Sequence, residues 1–111
     1  MAPRKAEDCA DMEQVRAEID RIDAALVDLI GERFTDVDRA WQFKQSPAEA
    51  RVPWRIQQVI DKVRARAIER GLPPELAEAL WRQMIGWFIQ YEEEKLRGQG
   101  DDKGYPSLGL E

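Results

Sequence analysis

Histidine is entirely missing from this sequence of 111 residues. Because histidine is the usual general base near neutral pH, its absence excludes most catalytic triads and dyads. Cysteine occurs only as Cys9, so no internal disulfide can form, and without a second cysteine or a histidine a transition-metal site is not expected. We interpret Cys9 as a tolerated exposed thiol, and any chemistry must rely on other groups.

Long apolar runs and clustered basic residues are missing as well. The sequence has no run of eighteen apolar residues and no basic segment followed by an apolar one at its start, which predicts neither a membrane span nor a secretory signal. A net charge of −5 with scattered arginines argues against nucleic-acid binding. Without a span or a signal, we expect the protein in the cytoplasm. We also expect one domain, since 43% apolar residues are enough to build a core.

Apolar residues at three- and four-residue spacing predict an all-α fold of three helices without strands. The predicted bounds are Asp11 to Lys44, Pro53 to Arg70, and Pro74 to Arg97. Asp11 with Gln14 resembles a capping box, and Gly71 supplies a left-handed residue that stops the second helix. The residues predicted to face the core are Ile56, Ile60, Val63 and Ala67 in the second helix, and Leu76, Leu80, Met84, Trp87, Phe88 and Tyr91 in the third.

The helices are predicted to form one domain at 11–97. A flexible lead-in at 1–10 precedes it, and a tail at 98–111 follows whose composition cannot bury enough surface to stay ordered. The segment 45–52 loses the helical period, so we expect a short, mobile loop there. The charged end of the third helix, from Glu92 to Lys95, is typical of a solvated surface.

The first helix is too long for its own chain to cover. About 34 residues at 1.5 Å each span roughly 50 Å, while a compact chain of this size has a radius of gyration of about 13 Å. We therefore expect a second copy, related by two-fold symmetry, to cover the remaining apolar length in an intertwined homodimer. A slender coiled coil is the alternative, but strict heptads are not sustained and Trp and Phe are frequent.

Arg33 and Lys44 interrupt the apolar face of the first helix from within it. At roughly 100° per residue, their separation of about eleven residues returns to within about 20° of the same direction, about 16 Å along the axis. Two long cations on an apolar face predict an anionic ligand between them. The alternatives are that both side chains extend to solvent, or that they pair with Asp36 or Asp38.

Arg16 is a third candidate, near the start of the same helix. It is about 25 Å from Arg33 along the axis and some 100° around it, so one small ligand cannot touch both within a single chain. In an antiparallel or crossed dimer, Arg16 of the other subunit could complete the pocket, which gives two equivalent sites. The alternative is a surface cation paired with Asp20 one turn away.

Two segments carry a family resemblance. The run VRAEIDRIDAALVDLIGERFTDVDRAWQFK, residues 15–44, resembles the first helix of the all-helical chorismate mutases, a family that includes an isochorismate pyruvate lyase branch. It has the R-x-x-I-D-x-I-D opening, the later L-I-x-x-R and the closing lysine. The run ERGLPPELAEALWRQMIGWFIQYEEE, residues 69–94, is similar to the family's third helix. The resemblance covers roughly 11–96, and its motifs are fairly specific as a set.

The resemblance implies a role for each cation. Arg16, Arg33 and Lys44 match the cations that hold the substrate's two carboxylates and its ether oxygen, with Arg16 supplied by the other subunit. The family's glutamine that donates a hydrogen bond to the ether oxygen corresponds to Glu92 here, and a donating carboxyl must be protonated or share a proton with the substrate. The alternative is an exposed member of a run of three glutamates. Gln90 lies some 200° away around the helix and is not preferred.

Five apolar side chains are expected to form the apolar wall of the pocket, although core packing is the more common role for any one of them: Val37, Trp41, Met84, Ile85 and Phe88. The loop at 45–52 would close over the ligand and exclude water.

The resemblance implies an enzyme that rearranges chorismate to prephenate in the shikimate pathway and aromatic amino acid biosynthesis. This reaction is pericyclic, so neither a cofactor nor a metal is expected, and the partner is a small dicarboxylate. The run QSPAEARVPWR lacks the Asp and Arg-Glu signature of typical mutases and, with Arg55, is more similar to the lyase branch. The alternative is therefore an isochorismate pyruvate lyase that gives salicylate and pyruvate. A further alternative is a helical dimer without catalysis that acts as a binding or regulatory module.

Overall fold

Three α-helices make up most of the chain. The computed structural model describes residues 3–98, with α1 at Met12–Trp41, α2 at Pro53–Glu69 and α3 at Pro74–Arg97. Short 3-10 helices lie at Ala6–Asp8 and Pro47–Ala50, and no strand occurs within residues 3–98. The predicted all-α fold of three helices is confirmed. The predicted tail lies outside the described residues except for Gly98, whose N–H donates to the Glu94 carbonyl.

The chain divides into two compact units, one up to Val37 and one from Asp38 onward. In the first unit, the Gln14 N–H donates to Asp11 Oδ1 over 2.9 Å and the Gln14 side chain accepts from the Ala10 N–H over 2.7 Å. These two hydrogen bonds confirm the predicted capping box. The N–H that donates to the Gln14 side chain belongs to Ala10, one residue before Asp11. Residues 3–10 are less irregular than the sequence predicts, because they include a 3-10 helix.

Glu18 connects this opening segment to α1. Its Oε1 accepts from the Arg4 backbone N–H over 3.0 Å and from the Arg21 side chain over 3.1 Å. The hydrogen bond from Arg4 and, after it, the one from Arg21 lower the pKa of Glu18 because both favour the charged form. The carboxylate therefore ties residues before the helix to its second turn.

In the second unit, α1 ends three residues earlier than predicted. The N–H groups of Gln42, Phe43 and Lys44 each donate to the carbonyl three residues back, over 3.0–3.2 Å, so the chain tightens into turns after Trp41. The Arg39 guanidinium lies 4.7 Å from the Phe43 ring centroid, above this turn. The angle calculated for Lys44 from an unbroken helix is therefore wrong, because the helix stops before reaching it.

Turn chemistry fixes both ends of α2. Pro53 occupies the first helical turn, where its missing N–H has no partner to lose. At the other end, Gly71 has a φ of 73°, the Leu72 N–H donates to the Ala67 carbonyl and the Gly71 N–H donates to the Ile68 carbonyl. These two hydrogen bonds are the pattern of a Schellman motif. The predicted left-handed glycine stop is confirmed.

α2 packs against α3 through small and branched residues. Among them, Ile60, Ala67 and Ala77 are 1–4% exposed. An ion pair joins the same two helices, because Glu78 of α3 accepts from Arg64 of α2 over 2.7 Å. Arg82, also on α3, donates to the same carboxylate over 2.6 Å. The hydrogen bond from Arg82, followed by the one from Arg64, lowers the pKa of Glu78. Two of the four predicted inner residues of α2 are fully buried, and the other two, Ile56 and Val63, are half-buried.

The core of α3 differs from the prediction at both ends. Leu76, Leu80 and Trp87 are 45–55% exposed in the single chain, although Phe88 and Tyr91 are buried as predicted. Half of the predicted solvated end, Glu92 to Lys95, is instead buried, and its buried members are Glu92 and Lys95. The charged composition of that segment misled the prediction because two of its charges have partners within the fold.

The loop at 45–52 has regular structure. Its 3-10 helix, Pro47–Ala50, packs on α3, and Ala50 is buried in a cluster with Ile89 and Leu96. The Gln45 N–H donates to a Glu49 carboxylate oxygen over 2.8 Å, which closes this turn. No helix within residues 3–98 has both the length and the apolar character needed to cross a membrane.

Candidate active site

The centre of the candidate site is an ion pair between the turn after α1 and the last third of α3. Lys44 Nζ lies 3.0 Å from Glu92 Oε1 and 3.1 Å from Glu92 Oε2. The side chain of Glu92 is only 6% exposed and that of Lys44 is 22% exposed. Charge-assisted contacts of this kind are strong where water is largely excluded. The structure thus joins two of the predicted site residues directly.

The burial of Glu92 decides between the two interpretations of the glutamate run. Glu92 is buried, Glu93 is half-buried and Glu94 is exposed, so only the first of the three faces the interior. The interpretation of Glu92 as an exposed surface charge is therefore wrong. Gln90 is exposed, as its position on the other side of the helix predicts. The assignment of Glu92 to the substrate's ether oxygen stays a prediction.

A second polar contact lies beside this ion pair. Asp38 Oδ1 accepts a hydrogen bond from the Trp41 indole N–H over 2.9 Å and another from the Tyr91 hydroxyl. Tyr91 is buried and immediately precedes Glu92 on α3. The last turn of α1 is thus bonded to the same part of α3 that carries the buried glutamate. One alternative for Lys44 was an ion pair with Asp38. Within residues 38–98, Lys44 forms its ion pair with Glu92 instead.

An apolar cluster lies in the same unit as these contacts. Trp41, Ile56 and Ile85 are partly buried against the cluster of Ala50, Ile89 and Leu96. Phe88 is buried and Met84 is half-buried. The observed contacts of Trp41 and Ile85 are those of a core, and their role in an apolar wall of the pocket stays a prediction.

The remaining predicted residues belong to the first unit. Arg16 is exposed on α1, and within residues 3–37 no acidic side chain forms an ion pair with it, so the predicted pairing with Asp20 is not observed. Arg33 and Val37 are half-buried on the same helix. No three acidic or cysteine side chains within residues 3–98 are grouped closely enough to hold a metal ion.

Comparison with known proteins gives two matches. The family model of chorismate mutase type II matches residues 15–93. The isochorismate pyruvate lyase of Pseudomonas aeruginosa is 36% identical over 83 residues, which cover 75% of this chain and 82% of that protein. The chain belongs to the chorismate mutase type II family. This family member is an enzyme, either an isomerase or a lyase.

In this chorismate mutase family member, sequence reasoning missed Asp38 and Tyr91 as neighbours of the site. Asp38 was considered only as a partner for a cation, and Tyr91 only as a core residue. A signal was available for Asp38, because it lies three residues before Trp41, one helical turn away, and an indole N–H needs an acceptor when buried. No local signal identifies Tyr91, which is 53 residues from Asp38 in the chain.

Proposed function

We propose that this enzyme rearranges chorismate to prephenate in a pocket organised around Lys44 and Glu92. The observation that carries the proposal is the buried ion pair of these two residues. It supports the roles that the family resemblance assigns to them, because a dry, preorganised charge acts more strongly on a reacting bond than a solvated one.

The chemistry needs only orientation and charge. In the rearrangement the C–O bond of the substrate's ether breaks as a new C–C bond forms, and negative charge develops on the ether oxygen. An ammonium group has three N–H donors, and Lys44 makes two contacts with Glu92, so a further donor can point to that oxygen. Holding the flexible dicarboxylate in its reactive conformer supplies the rest of the rate enhancement.

Glu92 has two states with different capacities. As the ionised partner of Lys44 it accepts hydrogen bonds and cannot donate one. In the protonated state it donates to the ether oxygen, as the family's glutamine does. We propose that substrate binding engages the protonated acid, so that Lys44 and Glu92 together contact the ether oxygen.

The two arginines are proposed to bind the carboxylates. Arg33 and, from the other subunit, Arg16 would each present a planar fork of donors that matches a carboxylate. Val37, Ile85 and Phe88 would supply apolar surface, and the loop at 45–52 would close over the ligand. These assignments rest on the family resemblance.

A homodimer is proposed because α1 leaves its apolar residues uncovered in the single chain. The exposure of Ile19, Ile22, Leu26, Leu29 and Ile30 is 44–59%, which is high for branched residues repeated along one helix. A continuous patch of this kind marks an interaction surface. A second copy, related by two-fold symmetry, would bury it and bring Arg16 to the partner's site.

The second candidate function is the isochorismate pyruvate lyase reaction. The similarity to a curated lyase over most of its length favours it, as does the loop around Arg55. In this reaction the same C–O bond breaks while a hydrogen is transferred to the departing enolpyruvyl group, so the same charges would assist. Because the chain belongs to an enzyme family, the alternative of a binding or regulatory module without catalysis is not retained.

Incubation of the purified protein with each substrate separates these functions. Conversion of chorismate to prephenate, followed by absorbance and chromatography, supports the mutase proposal. Salicylate fluorescence from isochorismate without prephenate formation supports the lyase. Absence of both products, with no dicarboxylate binding in calorimetry, would contradict both proposed reactions. The Lys44→Ala variant is the control, because any true activity must fall when the proposed charge is removed.

A further inference from the structure

We propose that Asp38 and Tyr91 are positioning residues that hold the Lys44 ammonium opposite Glu92. The proposal rests on the proposed function to the extent that Lys44 and Glu92 are the groups that act on the substrate. Asp38 and Tyr91 are not expected to touch the substrate themselves. They act through the backbone and through the polar contacts that fix the end of α1 to α3.

The contacts form a closed ring of five residues. Asp38 Oδ1 accepts from the Tyr91 hydroxyl and from the Trp41 indole N–H. The Trp41 carbonyl accepts from the Lys44 backbone N–H over 3.0 Å. The Lys44 ammonium binds Glu92, which is the next residue after Tyr91. Each member is therefore fixed by two neighbours, and the position of Lys44 is set by both its backbone and its side chain.

Tyr91 is a rigid anchor for this ring. The residue is 4% exposed, and its ring stacks on that of Trp87, with centroids 5.7 Å apart and planes inclined by 11°. The Lys95 ammonium lies 5.5 Å from the Tyr91 centroid, one turn further along α3. A phenol held from both sides by its own helix presents its hydroxyl at a fixed point. Asp38 therefore binds a fixed donor rather than a mobile one.

Lys44 needs such an anchor because of its place in the chain. It follows the last residue of α1 by three positions, after a turn in which Phe43 is 69% exposed. The lysine side chain is a flexible stem of four carbons, and each bond that rotates freely spreads the ammonium over more positions. Since catalysis by orientation depends on small displacements, a contact that limits this spread changes turnover without touching the substrate.

The test measures how readily Lys44 reacts with formaldehyde and a borane reductant, followed by mass spectrometry of peptides. In Tyr91→Phe, which keeps the stacked ring and removes only the hydroxyl, and in Asp38→Ala, methylation of Lys44 should accelerate about fivefold to tenfold. Asp38→Asn keeps an acceptor oxygen and should rescue most of the effect. Lys62, which is exposed on α2, is the internal reference, and its rate should not change.

A matched control is Glu78→Gln, which removes an ion pair between α2 and α3 without touching the ring. It should lower the melting temperature and leave Lys44 reactivity unchanged. If Tyr91→Phe lowers the melting temperature in the same way without accelerating Lys44 methylation, Asp38 and Tyr91 are structural only and the proposal is wrong. If Tyr91→Phe does not fold, Trp41→Phe removes the other donor to Asp38 and decides in the same manner.

The second measurement is steady-state turnover of the wild type and the same variants. Loss of positioning should lower kcat about tenfold with a smaller change in KM, because the carboxylate-binding arginines are not altered. A wild-type protein that converts neither substrate would refute the proposed function, while Lys44 reactivity would still decide the positioning. Unchanged Lys44 reactivity in Tyr91→Phe, with acceleration in Glu92→Gln as the positive control, would overturn the positioning and leave the proposed function intact.

Discussion

The ion pair of Lys44 and Glu92 predicts an asymmetric response to the loss of either partner. Lys44→Ala leaves a carboxylate that is 6% exposed without its counter-ion, while Glu92→Gln leaves an ammonium that is 22% exposed and an amide oxygen that still accepts. Breaking a fully buried pair costs about 3–5 kcal/mol. Because Lys44 is partly exposed and Glu92 can gain water when the lysine stem is removed, we expect about 2–3 kcal/mol for Lys44→Ala.

Glu92→Gln should cost only about 1 kcal/mol, since the replacement keeps the shape and one acceptor for Lys44. In the double variant the neutral amide has no missing counter-ion, so the two losses should not add. The coupling energy is expected at about 1–2 kcal/mol, in the range for residues in direct contact. For a domain of this size each 1 kcal/mol corresponds to a change in melting temperature of about 4–8 °C.

The assay is urea unfolding of the wild type, both single variants and the double variant, at one protein concentration because a dimer's stability depends on it. A matched cycle on Arg82 and Glu78, a partly exposed pair, provides the control and should give a smaller coupling. Equal losses for the two single variants, or strict additivity in the double variant, would refute the reasoning that Glu92 is held out of water beside Lys44.

Three further predictions follow from the site and from the ion pairs. Glu92→Gln should retain activity, because an amide donates a hydrogen bond to the ether oxygen as the family's glutamine does; loss of activity would remove the donating role. Lys44→Ala should lower kcat by about 10²–10³, as for loss of a donor to a developing oxyanion, and near wild-type turnover would exclude it from the site. Hydrogen bonds from Arg82 and Arg64 lower the pKa of Glu78. The stability that Glu78 contributes is therefore present above its ordinary pKa of 4.5 and is lost as pH falls through the lower pKa of the folded state. The free energy of unfolding, measured between pH 7 and 3, should therefore fall less steeply in Glu78→Gln.

The parts of the fold that depend on local chemistry were predictable from the sequence. Gly71 stops α2 as predicted, because a left-handed residue there favours glycine, and Pro53 and Pro74 begin their helices for a similarly local reason. The resemblance carried by residues 15–44 and 69–94 predicted the family, which is confirmed. These signals lie within a few residues of the feature that they predict.

The features that depend on distant residues were not predictable in the same way. α1 was expected to reach Lys44, but its last turn is replaced by tighter turns, and helix ends vary by a few residues for reasons that periodicity does not contain. The burial of Glu92 depends on Lys44, which is 48 residues away, and a run of glutamates looks solvated without that partner. Tyr91 was correctly placed in the core, but its hydrogen bond to Asp38 was not predicted.

Mixing of inactive variants tests most directly the central claim that two subunits build each site around a dicarboxylate. Arg16→Ala and Arg33→Ala should each be nearly inactive alone. After joint refolding at equal amounts, half of the dimers contain one chain of each kind, and each of these has one intact site in two. Activity should therefore recover to about one quarter of the wild-type value.

The control for this measurement is a mixture of Arg33→Ala with Arg33→Gln, in which every site is defective, and it should stay inactive. Recovery to about one quarter only in the first mixture is the predicted result. No recovery there, in a protein shown by light scattering to be a mixed dimer, would contradict the claim that Arg16 of one subunit serves the site of the other.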